Sequence, residues 1–217
     1  MRSPIAVCLL VATLVLAGFA WHHYSSSGQP SAPAKPVIDK QPVTFAQRSF
    51  DPAHPPADMP ALGEGEEAEC DSNFISDANV SGSMRKIDST SATVTVTQVK
   101  VTLQLRITVW VPHGATQHVI EHEEGHRQIS EHYYHFADKL AAEITAPYMG
   151  RQVVISGSDL NAEFRNALLQ LSKEITAQYN NRLNPDRAQQ RYDDLTDHSR
   201  NDRDSKEAAA QAIKEAM

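Results

Sequence analysis

Residues 92–135 run ATVTVTQVKVTLQLRITVWVPHGATQHVIEHEEGHRQISEHYYH, and the order of patterns in this stretch decides the fold. Val94 and Val96 alternate with Thr. The phase then shifts, and Val99, Val101, Leu103, Leu105, Ile107, Val109 and Val111 alternate with mostly polar residues. Period-two alternation puts every second side chain on one face of a sheet, so Ala92–Val111 reads as a half-buried strand pair. The phase shift places a tight turn or a bulge near Thr97-Gln98. Pro112-His113-Gly114 ends the run. A long helix is then expected from Thr116 to Thr145, closed by Pro147 and Gly150.

His122-Glu123-Glu124-Gly125-His126 lies inside that helix. Each residue turns a helix by about 100°, so His122 and His126 stand about 40° apart and can grip one ion. Neutral imidazoles at this spacing suit zinc. Glu123 follows the first ligand and can reach a water on the ion, which is the H-E-x-x-H arrangement with Glu as general base. Ile129, Tyr133, Phe136 and Leu140 continue the face of the two histidines. That face is predicted to be buried, and buried imidazoles need a partner such as a metal. His113, His118 and His135 lie off it and read as surface residues.

A catalytic zinc needs a third protein ligand and an open position. His132 stands about 80° from His122 on a continuous helix, and Glu131 about 180°. Both point away from the ion. Glu174, on the next helix, and His198, near a later helix end, remain as candidates.

Working outward, Val153–Ile155 reads as a short strand, and Leu160–Arg182 as a helix capped by Ser158 or Asp159. Asn184-Pro185 breaks it. Helical character returns at 188–195 and again at 206–216. Upstream, Phe74-Ile75 and Val80 suggest a short strand, and the folded region is expected to begin near Gly63 and run to 217. Residues 25–62 are rich in Pro, Ser and Ala and read as an extended tether. Arg2, the apolar run from Ile5 to Ala20 and the small residues at its end fit a secretory signal. Trp21 and Tyr24 also suit an uncleaved anchor at a membrane interface, so 1–24 is assigned to one or the other. Either way the protein is expected to be exported, periplasmic or anchored to the inner membrane facing the periplasm. Cys8 lies in the apolar run and Cys70 is then the remaining thiol, so metal binding must rely on His and carboxylates. A formal charge of −7 argues against a nucleic-acid partner.

The segment His122–His126, continued by Ile129, Glu131 and Tyr133, resembles the motif of a bacterial family of predicted secreted zinc-dependent proteases, domain of unknown function 922. A later segment, Gln190, Tyr192, Asp193, Thr196 and His198, is similar to that family's second motif, except that Ser199 stands where the family has Gly. The resemblance spans roughly Val94 to the C-terminus. It implies that His122 and His126 bind zinc and that Glu123 is the base, and in that second motif His198 is inferred to be the third ligand. Tyr192 would either polarise the scissile carbonyl or pack as an aromatic at a helix end.

The fold expected is α+β and zincin-like, a small antiparallel sheet on a long active-site helix with further C-terminal helices. The function expected is an exported zinc-dependent metallopeptidase acting on a peptide or protein. The Val99–Val111 strand would pair with an extended substrate or else be an internal core strand over most of its length. The competing readings are a zinc-binding protein without turnover and a structural envelope protein.

Overall fold

The computed structural model describes residues 35–63 and 65–217. The export segment, Cys8 and the start of the tether lie outside the described residues.

A long hairpin forms the frame. Strand β3 (Glu69–Lys86) runs antiparallel to β4 (Ser91–Pro112), from Lys86↔Ala92 to Glu69↔Trp110. Ala92–Val111 is therefore one strand, not a pair, and the phase shift is a bulge. Ser81 faces Gln98 and Gly82 faces Val96, so Thr97 is the extra residue. The bulge is what keeps Val94 and Val96 on the same buried face as Val99 to Val111. Gly82 is suited to this point, because a Cβ there would lie 2.8 Å from the Thr95 carbonyl oxygen.

The other edge of β4 is covered over most of its length by three short strands. β5 (Gln152–Ser156) pairs antiparallel with residues 91–95, β1 (Val37–Lys40) parallel with 100–103, and β2 (Thr44–Phe50) parallel with 106–112. The sheet is thus mixed rather than purely antiparallel. β1 and β2 fall inside the 25–62 segment whose composition suggests a tether. The prolines around them, Pro36, Pro42 and Pro52, sit just outside the paired residues, where no ladder hydrogen bond is lost. β4 has both edges occupied over most of its length, which removes it as a strand for substrate pairing.

Helices cover one face of the sheet. The expected single helix is broken at Phe136 into α1 (Gln117–His135) and α2 (Ala137–Thr145). Tyr134, Ala137, Ala141 and Ile144 pack with the buried β4 residues, as do Leu171, Ile175 and Tyr179 of α3 (Leu160–Arg182). Phe136 itself is 49% exposed, contrary to its expected place on the buried face. Asp159 caps α3 by accepting from the Asn161 and Ala162 amides at 3.0 and 3.1 Å. A second apolar cluster joins Ile129 of α1 to Ala188, Tyr192 and Leu195 of α4 (Asp186–Thr196) and to Ala208, Ala209 and Ala212 of α5 (Ser205–Ala216). α1 therefore has the sheet on one side and the α4–α5 pair on the other.

Candidate metal centre

Helix α1 starts at Thr116, whose hydroxyl accepts from the Val119 amide at 3.3 Å. Its first two turns carry His122 and Glu123, which are 3% and 4% exposed. Gly125 is the contact point for α4. A Cβ at Gly125 would lie 2.2 Å from the Tyr192 hydroxyl oxygen. With no Cβ in the way, Tyr192 donates its hydroxyl to the His122 carbonyl at 3.0 Å, and its ring stacks on the His122 ring with centroids 4.9 Å apart. Tyr192 is fully buried and bonded to backbone, so it packs and orients His122 instead of facing a substrate carbonyl.

With α4 seated this way, Asp193 meets the two histidines. His122 Nε2 and His126 Nε2 are 3.2 Å apart. Asp193 Oδ1 lies 3.4 Å from the first and 2.9 Å from the second. Zinc holds nitrogen and oxygen ligands at about 2.0–2.1 Å, which makes a tetrahedral edge of about 3.3–3.4 Å. The three donor atoms therefore approximate one face of a zinc tetrahedron, and a divalent-cation cluster of His122, His126 and Asp193 is present. Gln189, one turn before Asp193, fixes the tautomer of His126. Its Oε1 accepts from His126 Nδ1–H at 2.7 Å, so Nε2 is the nitrogen that would face a metal once its own proton is displaced. Gln189 Nε2 in turn donates to the His126 carbonyl at 3.2 Å and to Ser130 Oγ at 2.9 Å. Asp193 Oδ1, His122 Nδ1 and His198 Nδ1 are buried without a hydrogen bond. Orphaned polar atoms of this kind are costly unless an ion or water satisfies them.

The electrostatics follow from crowding. Burial pushes the Glu123 carboxyl up to about 8, against the opposing pull of His126. Burial together with the nearby Glu66 pushes Glu69 up to about 7. Burial works to lower His126, but the Asp193 and Glu123 carboxylates and Gln189 outweigh it and lift the imidazole to about 9. Burial would raise Asp193, yet the two imidazoles hold it well below the usual carboxylate range. Burial lowers His122, with Asp193 opposing.

Of the residues expected from the sequence, His122, Glu123 and His126 come together. Asp193 takes the third position expected for His198. The Nδ1 of His198 is 3.9 Å from Asp193 Oδ1 and 3.8 Å from Glu66 Oε1, and these three form a separate donor group. Glu174 is on α3 beside Arg151, 3.4 Å away, and His132 packs edge-on to Phe136. Neither joins the two histidines in a donor group among the described residues. Asp193 and Gln189 are the residues that sequence reasoning missed as site groups. The available signal was their i, i+4 spacing, which puts both on the face of α4 that also presents Tyr192.

Glu66, Ala68, Glu69, Cys70 and Ser72 complete the pocket wall opposite α1 and α4. Compared with known proteins, the chain matches no family model, no curated protein and no solved structure.

Proposed function

We propose that the protein is an exported zinc-dependent metallopeptidase of the secreted-protease family that its two motifs resemble. The observation that carries this reading is the close convergence of His122 Nε2, His126 Nε2 and Asp193 Oδ1, with the buried Glu123 next in sequence to the first of them. His122, His126 and Asp193 would hold the zinc. When bound there, zinc supplies a Lewis acid that acidifies water and polarises a carbonyl.

Glu123 then takes the proton from the attacking water and returns it to the leaving amine. Its burial favours the neutral form once the proton has arrived. Gln189 holds the His126 ring in place, and Tyr192 does the same for His122 through its carbonyl. Glu69, Cys70 and Ser72 of β3 line the pocket, so an extended peptide substrate is proposed to lie along β3 rather than β4. Export rests on the apolar segment from Ile5 to Ala20.

The test is a peptide-pool digest by the native chain and by Glu123→Gln, with zinc content measured on both. Equal zinc and a loss of cleavage of about 10²–10⁴-fold are expected. Undiminished cleavage by Glu123→Gln removes the mechanism, and equal zinc with no cleavage by either chain leaves a binding protein.

A further inference from the structure

Among the described residues, the pocket around the first donor group is lined by Glu66, Glu69, Glu123 and Asp193 and by no Lys or Arg. Glu66, Asp193 and His198 form a second donor group that shares Asp193 with the first.

Three features prepare that group for an ion. Glu66 Oε2 accepts from the Gly63 amide at 2.8 Å, which fixes the carboxylate and leaves Oε1 toward His198. His198 Nδ1 is buried and has no hydrogen bond. His198 is also aimed by an unusual backbone. Asp197, His198 and Ser199 have φ of 47°, 52° and 63°, three successive non-glycine residues in the left-handed region. Such conformations are unfavourable for residues with a Cβ and persist where the surrounding structure demands them. Arg200, the nearest cation after this turn, pairs with Asp197 at 3.0 Å.

We propose that Glu66, Asp193 and His198 bind a second divalent cation, joined to the first through the Asp193 carboxylate. One imidazole and two carboxylates suit zinc and its neighbours in the first transition row. The separations of 3.8 and 3.9 Å from His198 to its two partners exceed those in the first group, so the second site is the weaker of the two. The inference rests on the zinc site proposed above, and its test separates the two.

The full chain is stripped with chelator and titrated with Zn²⁺ by calorimetry, with metal content read independently. Two steps are expected. Glu66→Gln should keep the tight step and weaken the second by about 100-fold or more, and His198→Ala should do the same. His126→Ala should remove the tight step. A single step in the native chain, or a second step of unchanged affinity in both Glu66→Gln and His198→Ala, overturns the second site and leaves the first standing. No zinc binding at all overturns both. Co²⁺ loading tests the shared carboxylate. Two bridged ions should couple magnetically, so the EPR signal per cobalt should fall between one and two equivalents. Additive signals would sink the bridge.

Discussion

Gly125 shows how much of the site depends on one missing side chain. Alanine favours a helix over glycine by about 1 kcal/mol, so Gly125→Ala should stabilise α1 considered alone. In the folded chain its Cβ would lie 2.2 Å from the buried Tyr192 hydroxyl oxygen, and α4 would have to move. The clash should win. We expect Gly125→Ala to lower stability by about 1–3 kcal/mol in denaturant titrations and to weaken zinc retention, because Asp193 and Gln189 travel with α4. Unchanged stability would mean that α4 does not sit on Gly125. Cys70 offers a test of burial at the same wall. Burial pushes its thiol up to about 12, against a small opposing pull from Ser72. An ordinary thiol titrates near about 8.5, so at pH 8.5 Cys70 should stay protonated in the folded chain and ionise in the unfolded one. Its contribution to stability is full below that pH and is lost as pH climbs toward 12. Alkylation at pH 8.5, followed on the Cys70 peptide by mass spectrometry, should be slow in buffer and fast in urea. Equal rates would contradict the burial.

At the scale of elements, the bulge at Thr97 is the feature on which the sheet turns. Thr97 is exposed, so Thr97→Ala should change stability by no more than about 0.5 kcal/mol. Deleting Thr97 is a different matter. It would put either Val94 and Val96 or the Val99–Val111 series on the wrong face. We expect loss of the cooperative thermal transition by circular dichroism in the deletion and not in the substitution. The helices were legible in sequence because caps and breakers act locally. Asp159 before Leu160, and Asn184-Pro185 after Arg182, bound α3 as read. The break at Phe136 was not legible, since neither Pro nor Gly marks it. β1 and β2 were not legible either. A strand of 4 mostly half-buried residues or 7 mostly exposed ones among prolines carries no apolar alternation, and only its pairing with β4 makes it a strand.

At the scale of the whole molecule, α1 is held between the sheet and the α4–α5 pair, and the candidate metal centre lies where α1 meets α4. The small residues Ala208, Ala209 and Ala212 let α5 lie close against α1 and α4. Ala212→Leu should therefore overpack a fully buried position, cost about 1–3 kcal/mol, and loosen zinc binding through α4 although it touches no donor atom. Wild-type zinc affinity in that variant would show that α5 does not support the site. The sequence alone placed the proposed metal-binding pair and the proposed base together, because one helical turn sets His122, Glu123 and His126 side by side without help from the rest of the chain. It also determined the bounds of α3, whose caps are local, and the alternation of 92–111, though whether that run is one bulged strand or a pair was decided by its pairing with β3. The third donor was decided only by tertiary structure. Asp193 and His198 lie five residues apart near one helix end, and spacing cannot rank them. Which of them reaches the histidines depends on how α4 docks on Gly125, on Tyr192 reaching the His122 carbonyl, and on a left-handed turn that carries His198 past the first donor group toward Glu66.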